Sequence, residues 1–270
     1  IAFVGAGAAS VAGARLIFGR GGNPELATVV DSKGILGRHR DDIEHQRNYF
    51  PEKWELCEMT NAEGREGGIP EALRGADVVI SLSKPGPGTI KPEWIGEMAH
   101  DPIVFACANP TPEIWPWEAK EAGAAVVATG RSDFPNQVNN SLCFPGIFRG
   151  ALDVRATTIT DEMCFEAAEA LADYVGDELG PDRIIPTMDE WAVFPELAAR
   201  TGMKAQEQGI ARISRTREEL YAQAQAMIGR SRELTASMMK NGFIADPADA
   251  PPGPPNAADA PPDERKNKET

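Results

Sequence analysis

The chain opens with IAFVGAGAAS at residues 1–10, where an apolar run is followed at once by the closely spaced pair Gly5 and Gly7. The apolar run predicts a buried strand. The alanine-rich stretch from Ala8 to Phe18 predicts a helix that ends before the Gly-Gly-Asn-Pro cluster at 21–24. A strand, a glycine loop and a helix in this order are typical of dinucleotide-binding folds, in which a diphosphate rests on free amides at the helix N-terminus. We therefore predict a dinucleotide site at this loop.

The loop departs from the three-glycine pattern at Ser10. In that pattern the first glycine permits a tight turn, the second lets the diphosphate approach the backbone, and the third lets helix and strand pack closely. Ser10 takes the packing position, where its side chain is small and its hydroxyl can bond back to a carbonyl of its own helix. We expect the two positions that contact the ligand, Gly5 and Gly7, to keep their function.

The residues after the second predicted strand bear on the choice of cofactor. Asp31 ends that strand about 20 residues after the loop, where an acid can hold ribose hydroxyls, which favours NAD. Ser32 and Lys33 follow it and can hydrogen-bond and charge-pair a 2′-phosphate, which favours NADP. The sequence leaves NAD and NADP both open.

Further apolar runs alternate with helix-length segments. Runs rich in Val, Ile and Ala, without polar alternation, are typical of strands covered on both faces, and helical crossovers between them predict a parallel sheet. The predicted strands are 1–5, 27–31, 77–83, 103–108 and 124–130, and the weaker predicted helices are 41–48, 69–74, 91–99 and 113–123. The fold class is therefore α/β, a doubly wound Rossmann-type, mainly parallel sheet with a helical C-terminal extension.

The pattern becomes purely helical after residue 145, with helices predicted at 145–152, 160–178, 189–207 and about 213–240. We expect a nucleotide-binding domain at 1–150, a helical extension packed on it at 151–245, and a disordered Pro, Ala and Asp-rich tail at 246–270. A stripe of Ile213, Leu220, Met227, Leu234 and Met238 on the last helix indicates either packing on its own domain or a subunit contact.

Composition excludes several classes of partner. Lys and Arg number 27 against 41 Asp and Glu, and the resulting net charge of −14 opposes broad binding to nucleic acid or to an anionic membrane. The 4 cysteines are widely spaced and suggest reduced thiols rather than a zinc site or a disulfide framework. Neither a membrane span nor a signal segment is visible, so we expect a cytoplasmic protein.

Two amide-rich segments follow the later strands, at 108–113 and 130–140. Their neutral side chains donate and accept hydrogen bonds, which suits them to orient a carboxamide, a carboxylate or a hydroxyl. These side chains belong to Asn109, Asn136, Gln137, Asn139 and Asn140. Arg131 is either a carboxylate clamp or the ion-pair partner of Asp133. The histidines, His39, His45 and His100, do not have the setting of a catalytic base.

The chain resembles the nucleotide-binding C-terminal domain of malic enzymes. The resemblance rests on FVGAGAAS at 3–10, VDSKGIL at 30–36, ANPTPEI at 108–114, the long string at 127–157 that contains ATGRSDFPNQVNN and FPGIFRGA, and RIIPTMD at 183–189. It extends from residue 1 to about 213. The long string is the most specific part of it.

The resemblance implies oxidative decarboxylation of L-malate to pyruvate and CO2 with NAD or NADP and a divalent metal, Mg or Mn. It also implies that Asn109, Asn139 and Asn140 bind substrate, and that no catalytic or metal-ligating residue lies in this chain. The residues that it assigns to the cofactor are Gly5, Ala6, Gly7, Ala8, Ala9, Ser10, Asp31, Ser32, Lys33, Ser83 and Asn109.

In that family the proton-transferring Tyr and Lys and the acidic metal ligands precede the glycine loop. Since nothing precedes Ile1 in this sequence, we expect a truncated malic enzyme that is inactive alone, with a full-length form that is a homodimer or larger. The alternative is a non-catalytic dinucleotide-binding or interaction module that keeps the fold and lacks the chemistry.

Overall fold

A computed structural model describes residues 1–245, and the predicted tail at 246–270 lies outside the described residues. The strands form one six-stranded sheet in the order β3-β2-β1-β4-β5-β6. Their bounds are β1 Ala2–Val4, β2 Thr28–Asp31, β3 Gly34–Ile35, β4 Val78–Ser81, β5 Ile103–Ala106 and β6 Val126–Thr129. All neighbouring strands pair in parallel except β3, which pairs antiparallel to β2. The doubly wound α/β prediction is confirmed.

Helices cover both faces of the sheet. Within the sheet-bearing part of the chain they are α1 Ala8–Gly19, α2 Asp41–Glu44, α3 Pro51–Met59, α4 Ile69–Leu73, α5 Pro92–Ile95 and α6 Pro116–Glu121. Phe3 and Val29 pack with Ala14 of α1 and Leu56 of α3. On the other face Val4, Val30 and Val79 pack with residues of α4, α5 and α6. The sheet is therefore buried on both sides, which explains why its strands read as unbroken apolar runs.

All five predicted strands are present, α1 has about its predicted length, and the four weaker predicted helices of this region are present in shorter form. One strand and one α-helix were not predicted. β3 has only two residues, too few to leave a pattern, and α3 shows almost no segregation of apolar residues to one side, although Leu56 and Cys57 are buried.

The contacts divide the chain into two compact units. The first comprises residues 1–139 and 175–185, and the second comprises residues 140–174 and 186–270, of which residues up to 245 are described. These units break before the predicted boundary at residue 150, and the segment 175–185 belongs to the first. The division into domains at 150 stays a prediction.

The second unit contains α7 Phe144–Asp153, α8 Asp161–Val175, α9 Val193–Glu207 and α10 Arg217–Lys240. Helices α7 and α9 approach closely through glycines. A β-carbon on Gly146 would lie 2.7 Å from the β-carbon of Leu197, and one on Gly150 would overlap the carbonyl oxygen of Ala198. These helices therefore pack backbone against backbone, which no larger residue at Gly150 permits.

The apolar stripe on α10 is packed within its unit only at the start of the helix. Leu220 is fully buried with Val154 and Met163, whereas Met227 is 38% exposed and Leu234 is 61% exposed. The expectation of internal packing thus holds for the first turns alone. None of the helices within residues 1–245 is long and apolar enough to cross a bilayer.

Candidate functional site

The glycine loop lies at the carboxyl end of β1, where ligands bind in open parallel sheets. Gly5 has a φ of +106°, and a β-carbon on it would lie 2.5 Å from the carbonyl oxygen of Leu82, which follows β4. Both observations require glycine, because a side chain would be strained and would collide with the backbone of the neighbouring strand. The first glycine therefore makes the tight turn that the sequence predicts.

Gly7 is the N-cap residue of α1 and has an ordinary extended backbone, with a φ of −84°. A β-carbon on it would meet no atom within 4 Å, so neither conformation nor packing in the described chain requires glycine here. The first bond of the helix is donated by the amide of Val11 to the oxygen of Gly7, and no side chain caps the amides before it. This leaves an open helix N-terminus that favours an anion.

Ser10 is 1% exposed, as expected for the position where helix and strand pack. Its hydroxyl, however, has no hydrogen-bond partner among the described residues, so the bond that it could make to a carbonyl of its own helix is not formed. The hydroxyl lies against Gly5, 3.4 Å from where a β-carbon of that residue would stand. Ser10 thus packs under the glycine loop and does not cap the free amides at the start of α1.

Asp31 ends β2 beside this loop and is held by an ion-pair cluster. Its two oxygens accept hydrogen bonds from both terminal nitrogens of Arg40, each at 3.0 Å, from the amides of Lys33 and Gly34, and from Lys53. Burial alone would raise the pKa of Asp31, but the bonds from Arg40 and Lys53 outweigh it and lower that pKa to about 2. The carboxylate is therefore ionised and already fully paired.

Arg40 connects this carboxylate to a second one. Arg40 is 8% exposed, and its guanidinium also donates to both oxygens of Asp42, which receives a further bond from Lys33 at 2.8 Å. No sequence pattern connects Arg40 or Lys53 with Asp31, because the contacts span nine and 22 residues without a repeating spacing.

A buried carboxylate joins the ends of β4 and β5. Glu113 is completely buried and accepts hydrogen bonds from the Ser81 hydroxyl at 2.7 Å, the Ser83 amide at 2.9 Å and the Ala108 amide at 3.0 Å. The Ser83 hydroxyl donates to the same carboxylate at 3.1 Å. Glu113 therefore fixes two loops that carry predicted cofactor residues, Ser83 and Asn109.

In the sequence, Glu113 is predicted only as the start of a helix at 113–123. The signal that marks it is an acid placed directly before an apolar pair, Ile114 and Trp115, both of which are buried. A charged residue in such a position needs internal partners.

Asn109 lies at the end of β5 and is exposed, in a cis peptide bond with Pro110. Its side-chain amide rests against Gly130, which follows β6: a β-carbon on Gly130 would stand 3.0 Å from Oδ1 and 3.3 Å from Nδ2. Ser83, Asn109 and the glycine loop therefore all follow neighbouring parallel strands at the same edge of the sheet.

The loop after β6 does more to hold the fold together than its sequence indicates. Asn136 is buried, and its amide donates to the carbonyls of Val127 and Pro181 and accepts from the amide of Ile184. It holds the returning segment on the sheet and is not a ligand-orienting group. Gln137 forms a parallel bridge with Thr129.

Arg131 forms a two-pronged ion pair with Asp133, at 2.8 and 2.6 Å, and donates to the carbonyl of Pro110. Arg131 is thus the ion-pair partner of Asp133, one of the two roles that the sequence allows it. Asn139 ends the first unit and is partly buried, and Asn140 begins the second unit and is exposed. Burial raises the pKa of Cys107 to about 12, so this thiol beside the site is protonated at neutral pH.

Comparison with known proteins gives one consistent family. The model of the malic enzyme NAD binding domain matches residues 1–204. An NAD-dependent malic enzyme of Geobacillus stearothermophilus is 42% identical over 213 residues, which is 78% of this chain and 42% of that protein. An NADP-dependent malic enzyme of Rhizobium meliloti is 38% identical over 252 residues, 87% of this chain and 31% of that protein.

Solved structures agree with the sequence relatives. The crystal structure of Entamoeba histolytica malic enzyme has a TM-score of 0.87 at 48% identity, and the match covers 91% of this chain and 50% of that one. The chain therefore spans half or less of the length of these relatives. On the strength of its sequence and its fold, it belongs to the malic enzyme family, whose NAD-binding domain it carries.

Proposed function

We propose that this chain is the dinucleotide-binding part of an NAD(P)-dependent malic enzyme that converts L-malate to pyruvate and CO2. The observation that carries the proposal is the open N-terminus of α1, whose cap residue Gly7 is glycine although neither its backbone conformation nor its packing demands it. Glycine costs backbone entropy, and at this N-cap it leaves the space that a diphosphate needs to approach the main chain, which supports the proposal.

Residues of the first unit would contact different parts of the dinucleotide. The amides of Gly7, Ala8, Ala9 and Ser10 would hold the diphosphate, with Gly5 and Ala6 forming the turn beneath it. Ser83 and Asn109 follow β4 and β5 and would orient the nicotinamide end, because a hydroxyl and an amide both pair with a carboxamide. When bound, the nicotinamide supplies a hydride acceptor for the alcohol carbon of malate.

Substrate orientation is proposed for Asn109, Asn139 and Asn140. Each amide can donate to a malate carboxylate and accept from its hydroxyl without adding charge, so these groups position the substrate but do not transfer its protons. No catalytic acid or base is assigned in this chain.

The described residues do not fit the divalent metal that such chemistry uses. Within residues 1–245, His, Cys, Asp and Glu side chains nowhere gather in a group of three that could hold a metal ion. We therefore derive no step through Mg or Mn, whose ligands would lie outside the described residues, and we propose that the 270-residue polypeptide assayed by itself does not turn over malate.

The test has two readouts. Calorimetric titration of the chain with NAD and NADP should show saturable one-to-one binding of at least one of them, and binding of neither would overturn the proposal. An assay for reduced cofactor with L-malate and Mg or Mn should give no product with the isolated chain. Product formation would contradict the expected lack of turnover.

A second candidate function is a non-catalytic dinucleotide-binding or interaction module. It is favoured by the same observation that the described residues lack a metal-binding group. The coding sequence upstream of Ile1 separates the two candidates. An in-frame segment with Tyr, Lys and acidic metal ligands supports the enzyme, and a start codon at that place supports the module.

Self-association is a further part of the proposal. The exposed half of the α10 stripe, with Leu234 61% exposed, supports a homodimer or larger assembly of the full-length protein. Light scattering tests this, and a monomer would contradict it. The cytoplasmic location expected from the sequence also remains a proposal, supported by four free cysteines.

A further inference from the structure

One guanidinium joins the loop after β5 to the loop after β6. Arg131 follows β6, and its Nε and one terminal nitrogen donate to the two oxygens of Asp133 in the same loop, at 2.8 and 2.6 Å. The other terminal nitrogen donates to the carbonyl oxygen of Pro110, in the loop after β5, at 3.2 Å. The ion pair within one loop therefore orients the guanidinium for its bond to the other.

Two aromatic rings link the same two segments around this guanidinium. The central carbon of Arg131 lies 5.9 Å from the centre of the Trp115 ring and 5.8 Å from that of Phe134, within the range of a cation–π interaction. Trp115 comes from the segment after β5 and Phe134 from the loop after β6, and their rings are 6.1 Å apart. The Arg131 side chain is 26% exposed, so these contacts are partly shielded from water.

The bond to Pro110 lies next to a proposed nicotinamide contact. Asn109 directly precedes Pro110, and its side-chain amide rests against Gly130, which directly precedes Arg131. Two successive residues of one loop thus meet two successive residues of the other. A shift of the Pro110 carbonyl away from the guanidinium would carry Asn109 with it, because the two residues are adjacent in the chain.

From this arrangement we propose that Arg131 is a positioning residue, which holds the Asn109 amide in the orientation that pairs with the carboxamide of the nicotinamide. Asp133 neutralises the guanidinium, so the pair adds no net charge to the site and its contribution is geometric. Arg131 acts through Asn109 and does not itself contact the cofactor. The inference rests on the proposed function, because it assumes that Asn109 faces the nicotinamide.

The test compares two ligands that differ only in the nicotinamide. NAD and ADP-ribose share the adenosine, the diphosphate and the second ribose, so the ratio of their affinities isolates the nicotinamide end. In calorimetry on the full 270-residue chain, Arg131→Met should lower the preference for NAD over ADP-ribose by about fivefold, the value of one well-placed hydrogen bond. The affinity for ADP-ribose should stay unchanged. If the chain binds NADP alone, NADP and 2′-phospho-ADP-ribose take the places of these ligands.

Two milder variants make the result independent of how well Arg131→Met folds, which urea unfolding measures. Arg131→Lys keeps the charge, but an ammonium group cannot pair with both oxygens of Asp133 and reach Pro110 in the same fixed geometry. It should lower the preference for NAD in the same direction and by less. Asp133→Asn removes the ionic partner that orients the guanidinium and should also lower this preference.

Arg65→Met is the matched control. Arg65 likewise bonds an acid two residues away, Glu63 at 2.8 Å, and a backbone carbonyl, that of Arg74 at 3.0 Å. It lines a cavity together with Ile1 and Thr28, which lie at the amino ends of β1 and β2, at the opposite edge of the sheet from the glycine loop. Its replacement should leave the preference for NAD over ADP-ribose unchanged.

The outcomes separate the inference from the proposed function. An unchanged preference in Arg131→Met, equal losses for the two ligands, or the same change of preference in Arg65→Met would overturn the inference and leave the proposed function standing. Failure of the wild-type chain to bind any of the dinucleotides would overturn the proposed function and the inference together.

Discussion

Gly5 stands so close to Leu82 that a β-carbon on it would lie 2.5 Å from the carbonyl oxygen of that residue. The contact joins the ends of β1 and β4, the two neighbouring strands at the centre of the sheet. Since Gly5 also has a φ of +106°, strain and collision act together there. The turn that opens the proposed cofactor site is thus fixed by the backbone of the adjacent strand.

Replacing Gly5 by alanine should therefore destabilise the fold. We expect Gly5→Ala to lower the free energy of unfolding by about 3 kcal/mol, from a strained backbone and a displaced strand end. Urea unfolding followed by circular dichroism measures this. Gly13→Ala is the control, because Gly13 lies within α1 and a β-carbon there meets nothing within 4 Å. It should be neutral or stabilising by up to about 1 kcal/mol, and a Gly5→Ala loss no larger than the control would contradict the assigned turn.

Gly7→Ala should separate binding from stability. The added methyl group meets no atom within 4 Å, so the free energy of unfolding should fall by no more than about 1 kcal/mol, the usual advantage of glycine over alanine at an N-cap. The same methyl group occupies the space through which a diphosphate would approach the amides, so dinucleotide affinity should fall at least tenfold. Calorimetry on this variant and on Gly13→Ala makes the comparison. Undiminished affinity in Gly7→Ala would contradict the binding of the diphosphate by the amides at the start of α1.

The ion pair of Asp31 should give the fold a defined sensitivity to acid. The pKa of Asp31 is about 2 in the folded chain, below its ordinary value near 4. A carboxylate with a lowered pKa contributes its full stabilisation above its unfolded-state pKa and loses it as pH falls toward its folded-state pKa. We therefore expect this contribution at neutral pH and its loss between about pH 4 and 2.

Asp31→Asn tests this directly. At pH 7 the variant should be less stable than wild type by about 2 kcal/mol, because buried donors of Arg40 lose their partner. The difference should shrink as the pH approaches 2, since wild-type Asp31 is then becoming protonated. Urea unfolding at several pH values measures it, and a pH-independent difference would show that the ion pair is not its source.

Glu113 should be required for the geometry of the two loops that it joins. Glu113→Gln places an N–H group against the donors of Ser81, Ser83 and Ala108, which leaves buried groups unpaired. We expect a loss of about 2 kcal/mol in stability and a weaker affinity for the dinucleotide. Glu118→Gln is the control, because Glu118 makes one 3.3 Å bond, to the amide of Trp115 at the start of α6. Equal effects of the two changes on affinity would show that Glu113 does not support dinucleotide binding.

The strands were predictable because each is buried on both faces and therefore carries an unbroken apolar run, as in VVIS of β4. The glycine loop was predictable because backbone conformation selects for residue type at Gly5. The helix α3 was not, because its apolar residues, Leu56 and Cys57 among them, do not recur at a helical spacing. Tertiary packing, and not local pattern, places it.

The parts of the site that sequence reasoning missed are its long-range contacts. Arg40 and Lys53 reach Asp31 from separate elements, and Glu113 reaches Ser81 across 32 residues. Asn136 shows the opposite case: an amide in a polar loop was indicated as a ligand group, yet it binds three backbone groups of its own chain. Residue type and spacing do not tell which partner a polar group will find once the chain has folded.

The central claim is that a diphosphate rests on the unpaired amides at the start of α1. Two-dimensional NMR of the ¹⁵N-labelled chain tests it, with NAD and NADP added in turn. We expect the largest amide shift changes at Gly7, Ala8, Ala9 and Ser10, with saturation at one equivalent, and their loss in Gly7→Ala. Saturable binding that leaves these four amides unshifted would contradict the account.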